Sequence, residues 1–443
     1  MPADPVVLDL TRLLTRLRHA SPTGIDRVDL AYARHCLGQK GERLGLVSTA
    51  LGPRLLERAE AAALVDSVVA GWTEERAAED DPVYRGLAAS LGAAGAAAPG
   101  PAAPARRPDG RSRRRAEARI WLRVMRAPGV ERVPRGALYL HTSHLRLDKP
   151  ARFDWLYDRP DVRPVFFIHD LIPIEYPEYG RPGEAERHAV RMETVARHAA
   201  AVVVNSADVG RRFGAHLAAR GRPLPPVTVG PLGIEPAFAD RTGPGLRPAG
   251  PTFVVCGTIE PRKNLIALLA LWRELAARGS QAGPTPRLVV VGRRGWESEN
   301  VVDLLDRCPA VRRHVTEVAG LSTAGLVGLL RGATALLMPS FAEGYGLPVL
   351  EAAAAGLPVV ASDIPVHREI AAGFAEFLHP LDGLGWMGMV TALAEPGSPL
   401  RAAMLRRLEG VRAPTWDDHF ARVEPMLEAL PGRGGRGPRS PGP

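Results

Sequence analysis

The sequence predicts an α/β protein made of two doubly wound domains. Short apolar runs of strand length alternate with helix-length stretches through both halves of the chain. Several of these runs are apolar at every position, as buried parallel strands are. A Gly- and Pro-rich stretch from 230 to 251 separates the two series and reads as an inter-domain hinge. A length of 443 residues accommodates two or three domains, and an apolar share of 46% is ordinary for a globular chain.

Residues 6–10 read as the first strand, followed by a loop with Pro22, Thr23 and Gly24 and a helix over 25–36. Residues 92–119 are a low-complexity run of Ala, Gly, Pro and Arg with too little apolar surface to bury, which predicts a disordered insertion. Strands resume at 137–140 and 165–168, the second ending at His169-Asp170-Leu171-Ile172-Pro173. A helix over 184–199 leads into an apolar strand at 201–204, and Asn205-Ser206 can cap the next helix. In the second half, strands fall at 253–256, 288–291, 316–319, 335–338 and 358–361, with a last amphipathic helix from Trp416 to Leu430. The expected division is therefore 1–240, 241–395, a helical segment 396–430 and a disordered tail 431–443.

The net charge of +9 is localised. Residues 92–119 carry seven Arg against Asp109 and Glu117, and the tail adds Arg433, Arg436 and Arg439, so these segments hold eight of the nine charges. The remaining body lacks the basic face that a nucleic acid needs, whereas the arginine-rich insertion suits an anionic membrane. Cys36, Cys256 and Cys308 are too far apart for a disulfide framework or a metal cluster. With neither a leader pattern nor an apolar span, the expected location is the cytoplasm, extending to peripheral contact with the inner face of the cell membrane. CxxC, HExxH, Walker and Ser-His-Asp signatures are absent from the sequence.

Two segments carry the chemistry. Phe341-Ala-Glu-Gly-Tyr-Gly-Leu-Pro-Val-Leu-Glu351 passes from a strand, through a glycine turn, into a helix with Pro348 in its first turn. Such a helix start offers free N–H groups to a phosphate. Glu343 and Glu351 would then accept hydroxyls on either side of a diphosphate, the layout of a nucleotide sugar. Gly257-Thr-Ile-Glu-Pro-Arg-Lys-Asn264 places Arg262 and Lys263 at another helix start, which Asn264 can cap. Only three of 57 basic residues are lysines, so Lys263 departs from the default cation. His169 and Asp170 stand at a strand end, where ligand-binding loops of doubly wound sheets gather. Each candidate has a bland alternative: first-turn acids, a solvated basic pair, a core histidine beside a capping aspartate and, for Gly24, a simple turn glycine. Strand-end placement favours the ligand reading for all but Gly24.

These three motifs, His169 to Pro173, Gly257 to Asn264 and Pro339 to Glu351, resemble the group 1, family 4 glycosyltransferases, retaining enzymes of GT-B fold. The resemblance covers most of 160–390. It implies two Rossmann-like domains facing across a cleft, with the acceptor held by the first, the nucleotide sugar by the second, and a terminal helix crossing back to the first. It further implies that Glu351 binds the ribose hydroxyls, Glu343 lies by the donor sugar, Arg262 and Lys263 meet the phosphates, the N–H groups of Gly344, Tyr345, Gly346 and Leu347 are donor contacts that help hold the diphosphate, and His169 contacts the sugar near the reacting carbon, with Asp170 beside it. Some relatives carry Arg where Thr258 stands, and many carry further glycines where this chain has Pro22-Thr-Gly-Ile-Asp-Arg-Val28, leaving Gly24 as that loop's candidate donor contact. The implied reaction moves a hexose from a nucleoside diphosphate sugar, GDP-mannose by similarity, to a glycan or lipid-linked acceptor in bacterial cell-surface polysaccharide synthesis. It proceeds by same-face substitution with neither metal nor further cofactor. A nucleotide-sugar epimerase of the same fold and a non-catalytic nucleotide-sugar-binding module are the alternatives.

Overall fold

The computed structural model describes residues 4–19, 22–72, 76–93, 110–279 and 285–431. Seven strands form the first sheet: β1 (Val6–Asp9), β2 (Arg43–Thr49), β3 (Gly52–Leu56), β4 (Leu138–His141), β5 (Arg163–Ile168), β6 (Ala201–Val204) and β7 (Val227–Val229), in the order β3-β2-β1-β4-β5-β6-β7. Every neighbouring pair is parallel except the β2–β3 hairpin. The second sheet is wholly parallel and holds β8 (Thr252–Cys256), β9 (Arg287–Val291), β10 (Val315–Val318), β11 (Ala335–Met338), β12 (Val359–Ser362) and β13 (Glu376–Leu378), in the order β10-β9-β8-β11-β12-β13. Strand order reverses between β1 and β4 and again between β8 and β11, which opens a crevice at the carboxyl edge of each sheet.

Wholly apolar runs become these strands because both faces are covered: β1, β4, β5, β6, β11 and β12 are buried at every position. The strands that sequence reading passes over are β2, β3, β7 and β13. β2 carries Gly45, under which Leu10 and Ala61 pack so closely that a Cβ would lie 2.7 Å from Leu10. β3 is an edge strand containing Pro53, and β7 and β13 have three residues each.

Two departures matter for function. The insertion expected to be disordered over 92–119 contains the start of a helix, Gly110–Arg126, while 94–109 lie outside the described residues, as do 432–443 of the expected tail. The helix forms because Ile120, Val124 and Ala127 bury one face beside β3 and the helix Arg58–Val69, and buried Glu117 accepts from Arg18 Nε at 3.0 Å. Second, the expected boundary at residue 240 is crossed from the N-terminal side. Asp81 caps the helix Pro82–Ser90 through the Val83 N–H, and its other oxygen accepts the Ser322 N–H of the second domain at 2.7 Å. Tyr84 then lies against Gly325 and Gly328 in the helix Thr323–Gly332.

The helix Trp416–Ala429 returns from the second domain to pack on the first. It starts from a Thr415–Asp418 capping box, His419 meets the Tyr32 hydroxyl at 2.9 Å, and Phe420 stacks on His35 with centroids 3.6 Å apart. Gly233 makes this contact feasible, since a Cβ there would lie 2.3 Å from the Trp416 nitrogen. Gly233→Ala is accordingly expected to lower stability by about 1–3 kcal/mol, read as a reduced midpoint in urea with an unchanged slope.

Candidate functional site

Loops from β8 and β11 meet at the crevice of the second sheet. Gly257 follows β8 with φ of 141°, and a Cβ there would come within 3.0 Å of Lys263 Cε, so the glycine lets the lysine stem pass over the strand end. Pro261–Lys263 form one 3-10 turn, and Asn264 then adopts a left-handed φ of 54°. Asn264 does not cap the helix Leu265–Arg278 with its side chain, as the sequence suggests. Its amide instead donates to the carbonyls of Pro339 (3.1 Å) and Pro380 (2.9 Å), fastening the two loops together.

Glu343 is the centre of this junction. Its carboxylate is 5% exposed, with Oε1 accepting from Lys263 Nζ at 2.6 Å and Ser340 Oγ at 2.7 Å, and Oε2 accepting from Arg262 at 2.6 Å. Burial alone pushes this carboxyl up, but Arg262 and Lys263 together hold it well below the usual carboxylate range. Arg262 is further committed to the Ala342 carbonyl and to Glu260, a buried acid that sequence reading did not single out. Both cations expected at the phosphates are thus already anchored to a carboxylate.

The helix Leu347–Ala354 begins at Gly346, whose φ of 108° admits the sharp entry, with Pro348 in the first turn. Gly344 lies against the first domain, where a Cβ would be 2.9 Å from the His169 carbonyl and 3.1 Å from Asp170 Cβ. Tyr345 is buried and donates its hydroxyl to the Leu232 carbonyl at 3.5 Å, so its side chain serves the hinge region. Leu347 faces Gly24, a Cβ on which would lie 3.7 Å from Leu347 Cδ1. One turn on, Glu351 Oε1 accepts from Arg27 at 2.6 Å, an ion pair between the domains. Burial pushes the Glu351 carboxyl up, and Arg27 opposes this. Arg27 lies inside the Thr23-Gly-Ile-Asp-Arg27 motif, one helical turn after Gly24, and that spacing is the signal that could have exposed it.

On the first sheet, the His169–Asp170 backbone is gripped from three sides. His144 Nε2 accepts the His169 N–H (3.2 Å), Asn205 donates to the His169 carbonyl (2.9 Å), and His188 Nε2 donates to the Asp170 carbonyl (3.1 Å). His169 donates Nε2–H to the Thr142 carbonyl at 2.8 Å and stacks on Phe167, and burial brings its pKa down to about 4, so the ring is neutral at ordinary pH. The structure therefore brings His169 and Asp170 against Gly344, and Arg262 and Lys263 onto Glu343, while Glu351 and Gly24 meet their neighbours farther along the cleft. Among the described residues no group of three or more His, Cys, Asp or Glu side chains is placed to hold a metal ion.

Residues 239–377 match the family described as glycosyl transferases group 1, the group that the motifs resemble. The serotype-specific mannosyltransferase WbdA of Escherichia coli is 32% identical over 220 residues, which are 46% of this chain and 26% of that protein. The D-inositol 3-phosphate glycosyltransferase of Jonesia denitrificans is 30% identical over 240 residues, 50% of this chain and 55% of the other. The chain thus spans about a quarter of the length of the WbdA relatives it matches. The crystal structure of Anabaena HepE in complex with UDP superposes with a TM-score of 0.56 at 14% identity, covering 96% of this chain and all of that one. That likeness is one of fold: two Rossmann-like domains in the GT-B arrangement.

Two outcomes test this electrostatic picture. Glu343→Gln leaves buried Lys263 without a counter-charge and is expected to cost about 3 kcal/mol in urea denaturation, most of it recovered in the Glu343→Gln/Lys263→Met pair. His169 and His419 are both brought by burial to about 4, below the ordinary 6.5, so the unfolded chain takes up their protons first. Stability should fall as pH drops from 6.5 toward 4, by roughly 2 kcal/mol per histidine at pH 5. The depressed Glu343 carboxyl stays ionised in the folded state through that window and adds to the loss only toward pH 4, where the unfolded carboxyl takes up its proton.

Proposed function

We propose that this chain is a retaining glycosyltransferase that moves a hexose from a nucleoside diphosphate sugar, GDP-mannose by preference, to a glycan or lipid-linked acceptor in cell-surface polysaccharide synthesis. The observation that carries the reading is the buried Lys263–Glu343–Arg262 junction at the crevice of one sheet, closed over by His169 and Asp170 from the crevice of the other. The mannosyltransferase names of several relatives support the choice of sugar.

A departing diphosphate gains negative charge as the glycosidic bond breaks, and this site meets it with fixed dipoles and a fixed cation. The N–H groups opening the helix Leu347–Ala354 face the leaving group, and Lys263, held in place by Glu343, supplies the compact charge. Because Glu343 is neutralised by two cations, it orients Lys263 and accepts sugar hydroxyls and does not serve as a nucleophile. The incoming acceptor hydroxyl then attacks from the face that the diphosphate leaves, and the diphosphate oxygen takes its proton. Neutral His169 positions the sugar by hydrogen bonding. Glu351 receives the ribose hydroxyls, which displace Arg27 from one carboxylate oxygen, so donor binding exchanges an inter-domain ion pair for a ligand contact.

The test is turnover of the purified protein with GDP-, UDP- and ADP-hexoses and an oligosaccharide or polyprenyl-linked acceptor, with product configuration read by NMR. Retention of the anomeric configuration is expected. Lys263→Ala should lower kcat by about 10²–10³, and Glu351→Gln should raise the donor KM by roughly tenfold with a smaller effect on kcat. Conversion of donor alone into an epimer, or unchanged turnover in Lys263→Ala, would sink the proposal.

A further inference from the structure

The helix Gly110–Arg126 has three faces. One is turned inward, where Ile120, Val124 and Glu117 are buried at the β3 edge of the first sheet. A second, about 100° wide at 100° per residue, carries Trp121, Met125 and Leu122, which are 44%, 41% and 51% exposed. The third carries Arg115, Arg119, Arg123 and Arg126, all exposed. Across its length the helix has seven arginines against one acid, Glu117, in a chain whose net charge is only +9. Among the described residues no helix is long and apolar enough to cross a membrane.

We infer that this helix docks the first domain flat on an anionic lipid bilayer, with Trp121, Leu122 and Met125 entering the headgroup–acyl boundary and the arginine face lying over acidic headgroups. Three properties of the helix select that partner. An indole beside two flexible apolar side chains suits the interfacial zone, where one end is apolar and the other wet. Arginine stems reach outward along the helix while their guanidinium groups stay with phosphate, so the two exposed faces act together. The inward face fixes orientation, because Ile120 and Val124 tie the helix to the sheet and Glu117 ties it to Arg18, leaving the Trp121 face outward. A flexible basic tether would lack this rigid presentation. The consequence for the proposed reaction is that an acceptor embedded in the same bilayer is met by the acceptor domain. The docking itself stands on the helix alone and does not depend on that reading.

The experiment is sedimentation of the full chain with vesicles of phosphatidylcholine alone and of phosphatidylcholine with 30% phosphatidylglycerol, at low and at high salt. Binding to the anionic vesicles at least about tenfold tighter than to neutral ones, and weakened by salt, is expected. Trp121→Ser/Leu122→Ser/Met125→Ser should lose about tenfold or more with an unchanged melting temperature, since these side chains are exposed. Arg119→Gln and Arg123→Gln should each lose roughly fivefold and flatten the salt dependence. Equal binding to both vesicles, or binding unaltered in the triple-serine variant, overturns the inference. So does an analytical ultracentrifugation result in which the wild type is dimeric and the triple-serine variant monomeric, because the face would then belong to a second copy. Glycosyl transfer to a soluble acceptor should persist in the triple-serine variant, which separates failure of docking from failure of the catalytic reading.

Discussion

The buried carboxylate of Glu343 is the constraint on which the rest of the site depends. An ionised acid at 5% exposure is affordable only because two cations and a hydroxyl meet it at hydrogen-bond distance. The two cations come from the loop after β8 and the acid, with the Ser340 hydroxyl, from the loop after β11, so the network fixes the crevice width where strand order reverses. The Asn264 bonds to Pro339 and Pro380 brace the same junction from below. For the proposed donor this means a cation already ordered, with little conformational entropy left to lose.

Polar contacts join the two domains across the cleft. Arg27 reaches Glu351, Glu369 accepts the N–H groups of Ala207 and Asp208 at the start of a helix in the first domain, and the Trp296 indole donates to the Tyr179 carbonyl. Each contact pairs a charge or dipole across the interface and can be traded for water or for ligand at modest net cost. Apolar contact runs beside them: Tyr179 stacks on Phe341 across the cleft, and the buried core of the first domain is continuous with Tyr345 and Val349 of the second.

Much of this was legible in the sequence, and what was missed has physical reasons. The βαβ unit around Glu343 was readable because β11 and β12 are buried on both faces and the glycines and Pro348 punctuate the turn. The pairing of Glu343 with Lys263 was not, since residues eighty apart in sequence meet only through sheet topology. Arg27 was passed over for the same reason, its partner lying 324 positions away. The helix Gly110–Arg126 was hidden by composition: seven arginines outweigh the apolar residues in any average, yet Ile120 and Val124 at helical spacing suffice to seat it. Asn264 looked like a cap because its type and place fit one, but two stranded carbonyls claimed its amide.

The segment around Asp81 changes the mechanics of the molecule. The chain leaves the first sheet after the helix Arg58–Val69, lays the helix Pro82–Ser90 on its neighbour, and returns before β4. It passes between the halves again near 230–251 and once more before Trp416. A pair of bodies stitched at several separate places cannot slide or separate freely. Asp81 and Gly233 mark two of these seams, one a hydrogen bond between the halves and the other a backbone approach that leaves no room for a side chain.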